Sequence, residues 1–390
     1  MTDADILPNW ALGPFSEPQR VLQDRPAVTF HCPVLGAPVA WAAKDVFNPG
    51  AVVHDGRVCL LVRAEDEVGR YAGTSRIGLA TSADGRRFEL EPEPVIAPGD
   101  DAWQAWEWPG GCEDPRVVQT PDGGFVCAYT AFDGKVGRLF IATSRDLRQW
   151  EKHGPAFAGT RYVRLPTKSG AILTTLQDGR LTAARHGGKY WMYWGEGTTY
   201  AATSDDLIRW TPLEIAAAPD RYLTWTPDAG ADGPSGRWGT ERVPGPMALR
   251  PIAGPRRGRF DSLLTEPGPP ALLTEAGVVL IYNGANHPRT GDPATPGFAY
   301  QPGQLLLDAA DPSAVIGRLP APFLTIDPAE ATGQVGNVCF AEGLVAWNGE
   351  WRLYVGLADS RLGVSIAPIV EVLRPLAKQD FRVYSAVATA

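Results

Sequence analysis

"IGLATSADGRRFE" (77–89), "LFIATSRDLRQWE" (139–151) and "TYAATSDDLIRWT" (199–211) share one pattern: an apolar residue, Ala-Thr-Ser, any residue, Asp, Gly or Leu, two more, then an aromatic. Their serines, Ser82, Ser144 and Ser204, stand 62 and 60 residues apart. A strand that ends in Ala-Thr-Ser, turns at Asp and packs an aromatic back reads as the corner of a β-hairpin. Ser and Asp recur at such corners because their side chains bond the turn backbone directly. Asp146 and Asp206 are therefore expected to be structural.

A second repeat accompanies the first: "GRVCLLVRA" (56–64), "GGFVCAYTA" (123–131), "GKYWMYWGE" (188–196), "GVVLIYNGA" (277–285) and "GEWRLYVGL" (349–357). Each is a Gly-led turn followed by a strand of β-branched and aromatic residues, and helical periodicity is weak throughout. Five copies of a roughly 65–80-residue unit built from short antiparallel strands predict an all-β, five-bladed β-propeller. The expected layout is an N-terminal extension, residues 1–40, packing on a single propeller domain, 41–390. The Pro-, Gly- and Arg-rich stretch at about 214–258 reads as a loop insertion.

Composition narrows the function classes. The 390 residues carry 36 Lys+Arg against 44 Asp+Glu, a formal net charge of −8, which argues against nucleic acid or an anionic membrane as partner. Gly 43 and Pro 36 are spread along the chain, as turn-rich β proteins require, and 13 Trp supply the kind of flat face that stacks on sugars. Cys32, Cys59, Cys112, Cys127 and Cys339 show no CxxC spacing, so neither a disulfide framework nor a metal site is expected. The start, "MTDADILPNWALGPF", lacks a basic segment followed by an apolar one, and no apolar run reaches membrane-spanning length. A cytoplasmic protein with reduced thiols is the expectation.

Polar strings interrupt the apolar strands in every unit: "FNPG" (47–50), "VRAED" (62–66), "GGCEDPR" (110–116), "PTKSGA" (166–171), "YWGE" (193–196), "LTEPGPP" (264–270), "YNGAN" (282–286) and "LADS" (357–360). In a propeller the innermost strands line a central funnel, so this spread predicts convergence on one pocket. "GGCEDPR" follows the indole-rich "DAWQAWEW" (101–108), where Gly and Pro constrain a turn from which acids and Arg116 project. Trp103, Trp106 and Trp108 are divided between blade packing and a sugar platform. His287, near "YNG", is a candidate for the rim.

In order along the chain, "FNPG", "VRAED", "GCEDPR", "ATSRDLRQW", "KSGAI", "YWGE", "EPGPP", "YNG" and "LAD" resemble the pattern of glycoside hydrolase family 130, from about residue 45 to 365. The family contains β-mannoside phosphorylases and β-1,2-mannosidases. The resemblance implies a five-bladed propeller and an inverting, metal- and cofactor-free reaction on mannose-containing oligosaccharides. It makes Asp114 the proton donor, passing its proton through a sugar hydroxyl to the glycosidic oxygen. It places Asn48, Arg63 and Asp359 on the glycone, and Arg116 and Lys168 where phosphorylases hold inorganic phosphate. Glu65, Tyr282, Asn283 and Trp106 complete the expected substrate-binding set.

Chemistry separates the two branches. An inverting hydrolase needs a carboxylate base that activates water, roughly 6.5–9.5 Å from the acid. A phosphorylase needs cationic donors for the anion instead, and carboxylates in its place repel it. Glu196 and Glu266 resemble the glutamates of the mannosidase branch, and Asn283 stands where phosphorylases carry His. Hydrolysis is therefore the expected activity, with phosphorolysis the alternative that Arg116 and Lys168 keep open. The bland readings are a solvated turn for Glu196, extended chain at a blade edge for Glu266, and a surface position for Lys168. A non-catalytic sugar-binding propeller would not need the clustered acids. Arabinosidase- or fructosidase-type propellers commonly show Asp at the Asn48 position, with only Asp45 nearby here.

Overall fold

The computed structural model describes residues 7–22, 24–67, 73–215, 222–227, 236–241 and 249–369. Among them the chain is all-β, with helix confined to Gln104–Glu107 and a 3-10 turn at Pro328–Glu330. The strands form successive antiparallel meanders. The first unit runs Asp45–His54, Arg57–Glu65, Ser75–Ser82 and Glu89–Ile96. The second runs Gly111–Gln119, Phe125–Phe132, Gly137–Ser144 and Trp150–Pro155. The third pairs the start of Ala171–Gln177 with Lys189–Trp194, then Thr199–Ser204 and Thr211–Pro212. The fourth uses Leu264–Pro267 and Ala271–Thr274 against Gly277–Ala285, Tyr300–Leu307 and Val315–Arg318. The fifth is Cys339–Trp347, Glu350–Leu357 and Arg361–Pro368.

The Ala-Thr-Ser repeat is a turn device, as expected. Ser82 Oγ accepts from the Gly85 amide at 2.8 Å, and the Ser144–Leu147 and Ser204–Leu207 copies repeat the bond at 2.9 Å. The Asp carboxylate accepts from two amides further on in each copy, which pulls the Asp84 carboxyl down to about 2. The alternation of Gly and Leu has a conformational reason: Gly85, Leu147 and Leu207 have φ of 66°, 65° and 67°, the left-handed region. Trp150 and Trp210 then return to donate to the Leu147 and Leu207 carbonyls.

Apolar packing lies between units, because strands such as Gly111–Gln119 and Gly277–Ala285 are buried on both faces. One cluster joins Leu61 and Leu79 of the first unit to Val117 and Phe140 of the second. Others join the second to the third through Ile141 and Trp194, the third to the fourth through Tyr193 and Leu280, and the fourth to the fifth through Ile281 and Leu353. A further cluster joins the fifth back to the first, with Tyr354 and Leu362 against Leu60 and Val62.

The N-terminal segment does more than pack outside. Gln19–Arg20 pairs with Val364 and Gly363 and so adds a strand to the fifth unit. Leu12 exchanges two backbone bonds with the buried Gln304 amide at 2.9 and 2.8 Å. Within the 214–258 insertion, Tyr222–Pro227 and Gly236–Glu241 form a hairpin. Residues 216–221, 228–235 and 242–248 of it lie outside the described residues. No helix among the described residues is long and apolar enough to cross a membrane.

Candidate active site

The inner strands share one irregularity, and the site is built on it. Pairing slips between Phe47 and Pro49, between Glu113 and Arg116, and between Ala341 and Gly343. These bulges leave Asn48, Asp114 and Glu342 out of the ladder, and Asn48 and Asp114 adopt φ of 49° and 48°. Asn and Asp tolerate that conformation better than most residues, and bulges re-aim side chains. Ser169, at the matching point of the third unit, has φ of 65°. The glycines that follow let the strands close up: a Cβ on Gly50 would lie 2.3 Å from the Pro115 carbonyl oxygen, and one on Gly343 2.5 Å from that of Pro49.

At the bulge of the second unit stands Asp114, 2% exposed. Its Oδ1 accepts from Asn48 Nδ2 at 2.9 Å and from Arg63 Nη1 at 3.0 Å. Arg63 also donates to Glu65 at 2.7 Å, Glu113 at 2.8 Å and Ser75 at 3.0 Å, and its guanidinium lies over Phe47. Glu65 is held in turn by Lys44 at 3.0 Å and Gln334 at 3.1 Å. Burial opposes charge on Asp114, but Arg63, Lys168, Arg116 and the Asn48 amide outweigh it and hold the carboxyl well below its usual range. Glu113 goes the other way. Burial, with Asp114 adding to it and Arg63 opposing, pushes its carboxyl up to about 7.

Across from Asp114 lies Glu266, 1% exposed, which accepts a short hydrogen bond from the Ser169 hydroxyl. Burial, reinforced by Glu196 and opposed by Lys168 and Arg116, raises its carboxyl to about 7. Two backbone bonds bring the glutamates together: Gly195 donates to the Lys168 carbonyl, and Thr265 to that of Gly197, each at 3.0 Å. Lys168 Nζ sits 3.4 Å from Glu196 Oε1, and these side chains are 26% and 47% exposed. Glu266 lies buried in the strand Leu264–Pro267, whereas Glu196 keeps the solvated-turn position expected of a bland residue, with Lys168 beside it. Asp359, φ 49°, is half-buried with its carboxyl raised by burial to about 6.

Arg116 is wholly buried and already occupied. It donates to the carbonyls of Asp114 at 3.0 Å, Pro267 at 3.1 Å and Gly268 at 3.3 Å. Its remaining neighbours are Glu342 at 3.4 Å and Glu266 at 3.8 Å. It therefore stitches the second, fourth and fifth inner strands together.

Three expected substrate contacts have their polar atoms or rings engaged within the protein, Asn283 directly across the strand pair from Glu266. Tyr282 donates to Asp261 at 2.6 Å and accepts from Arg318 at 3.1 Å, inside a buried cluster of the fourth unit. The Asn283 amide is spent on the Ala341 backbone, donating at 2.9 Å and accepting at 2.8 Å. Trp106 packs on Phe140 with Arg138 over its ring, which is the blade-packing alternative. His287 Nδ1 accepts from the amides of Arg289 and Thr290 and caps a turn. A cleft of about 810 Å³ between the second and third units, lined by Thr120, Trp150, Arg185 and Tyr190, holds none of the residues above.

Sequence reasoning left Glu113, Ser169 and Glu342 without roles. Glu342 carried a signal: it is an acid inside the otherwise apolar strand "CFAEGLVAW". Among the described residues no group of three or more His, Cys, Asp or Glu is placed to hold a metal ion, and the five cysteines are buried and unpaired.

The sequence profile of glycoside hydrolase family 130, described as beta-1,4-mannooligosaccharide phosphorylase, matches residues 23–225. A 1,2-beta-oligomannan phosphorylase of Thermoanaerobacter sp. (strain X514) is 28% identical over 85% of this chain and 93% of its own. The crystal structure of a glycosyl hydrolase from Bacteroides ovatus is 42% identical over 95% of this chain and 99% of its own, with a TM-score of 0.82. A structure from work on GH130 glycoside hydrolases that target beta-1,2 mannosidic linkages in Candida mannan is 41% identical, covers 94% and 99%, and has a TM-score of 0.82. The chain belongs to glycoside hydrolase family 130.

Proposed function

We propose that this chain is an inverting β-mannosidase that releases β-1,2-linked mannose from the non-reducing end of its substrate, on a five-bladed propeller. The five meanders, the apolar clusters that run from each unit to the next and from fifth to first, and the N-terminal strand in the last sheet support that architecture. Asp114 is the acid, Glu266 the base and Glu196 its partner in orienting water. Asn48, Arg63 and Asp359 bind the glycone.

The observation that carries the reading is the surroundings of Glu266. Where a phosphate would need free donors, Arg116 is committed to three carbonyls, and Lys168 faces both Glu196 and Glu266. Lys44, Arg63, Arg116 and Lys168 are all engaged with carboxyl groups of the site, among them Glu65, Glu113, Asp114, Glu196 and Glu266. With Glu266 ionised for base duty, a dianion entering beside it and Glu196 meets repulsion. Water does not.

The empty site carries its proton on the Glu266 side, whereas catalysis needs it on Asp114. A sugar hydroxyl that displaces the Asn48 or Arg63 bond raises the Asp114 carboxyl and completes the acid–base pair. The phosphorylase reading is supported by the description of the family profile and by curated relatives that are phosphorylases, among them the oligomannan phosphorylase at 28% identity. The test is product analysis on β-1,2-mannobiose with and without inorganic phosphate. Mannose released equally in both is expected; mannose 1-phosphate formed only with phosphate would move the chain to the phosphorylase branch.

A further inference from the structure

Glu342 is wholly buried at the bulge of the fifth inner strand, and neither of its carboxyl oxygens has a hydrogen-bond partner. Its nearest charged group is Arg116, whose Nη1 lies 3.4 Å from Oε1. A guanidinium has five N–H donors. The Arg116 bonds to the Asp114, Pro267 and Gly268 carbonyls use three, and the remaining directions face Glu342 and Glu266. One cation thus stands between two buried carboxyl groups while it bridges the strands that carry Asp114 and Glu266.

We propose that Glu342 is a positioning residue: from the far side of Arg116 it fixes the guanidinium between the second and fourth inner strands, and so sets the placement of Asp114 relative to Glu266. The proposal rests on the reading of those two groups as acid and base. Glu342 does this as a neutral carboxylic acid. An ionised carboxylate with no hydrogen bond, cut off from water, is strongly disfavoured, and here Asp114 and Glu266 add repulsion. The groups that act on it are Arg116 and Arg63, which favour its charge, and Asp114 and Glu266, which oppose it; burial outweighs the cations and raises its carboxyl well above the ordinary range. Left uncharged, Glu342 does not compete for Arg116, whose charge then serves Glu266.

The experiment compares Glu342→Gln with Glu342→Ala in the full-length protein. Gln keeps the shape and the neutrality, so kcat and its acidic limb should stay near wild type. Ala removes the support, so kcat should fall on the order of tenfold to a hundredfold with KM changed much less, and the acidic limb should move up as Arg116 loosens from Glu266. Equal damage from Gln and Ala would mean that the carboxylate acts ionised, and wild-type profiles in both would mean that it has no role; either overturns the proposal. If the Ala variant does not fold, difference infrared spectra of wild type against Glu342→Gln at pH 7 decide it. A protonated-carboxyl band missing from the Gln variant is expected, and identical spectra overturn it. That readout is independent of turnover, so it stands apart from any failure of Asp114 or Glu266 as acid and base.

Discussion

The two halves of the site are built on different terms. Around Asp114 the hydrogen bonding is dense: Arg63 alone makes hydrogen bonds to Asp114, Glu113, Glu65 and Ser75, and Asn48 adds another from the next bulge. Around Glu266 the arrangement is sparse, with Ser169 as hydrogen-bond donor and Lys168 shared with the solvated Glu196. A dense network holds geometry without rearrangement, which suits recognition of one fixed sugar ring. On the proposed reading the sparse half admits a small nucleophile, the dense half serves hydrolysis and phosphorolysis alike, and the difference between them resides in the sparse one.

The strongest way to break this contrast is at Asp114. Asp114→Asn keeps the size and one acceptor oxygen for Asn48 and Arg63, so the fold should persist while turnover falls on the order of 10³–10⁴-fold. Wild-type activity in a variant with an unchanged circular dichroism spectrum would remove Asp114 from the mechanism.

Glu266 sharpens the contrast. A base must be unprotonated, and burial raises this carboxyl to about 7, so wild-type kcat/KM should fall as pH drops through about 7. Glu266→Gln should lose on the order of 10²–10³-fold and the limb with it. Adding phosphate to the Gln variant tests the charge argument directly: with one carboxylate gone beside Lys168, trace mannose 1-phosphate is expected where wild type gives none. An acidic limb that survives in the Gln variant would assign it to another group, with Glu113, also at about 7, the nearest candidate and Asp359 at about 6 the next.

The sequence carried the repeat and the polar strings because both recur with a physical cause: left-handed turns demand Gly or a tolerant residue, and acids inside strands demand a reason. The side-chain direction was not legible. Strands buried on both faces lack the alternation that tells inside from outside, so Tyr282 and Asn283, adjacent in "YNG", looked alike. One joins Asp261 and Arg318, and the other clips Ala341. Glu342 hid for the same reason, embedded in nine residues that otherwise read as core. Gln19–Arg20 was invisible because two exposed polar residues have no strand pattern; only the open edge of the last sheet recruits them.

The smallest expected effect concerns stability rather than rate, and it follows from the same asymmetry. Glu266 and Glu113 are raised to about 7 in the folded chain, above an ordinary glutamate at about 4.5. The folded state therefore binds their protons more tightly than the unfolded state. That contribution is complete below about 4.5 and is lost as pH rises through about 7. Asp114 has the opposite sign: its carboxyl is lowered, so its contribution is present at neutral pH and is lost only in strong acid. Between pH 5 and pH 8 the glutamates decide, and the wild-type Tm should decline. Glu266→Gln has no proton to lose and should decline less, overtaking wild type by a few degrees at pH 8 while matching or trailing it at pH 5. Parallel Tm curves across that range would show that Glu266 titrates alike in both states, and the sparse half of the site would then be as well compensated as the dense one.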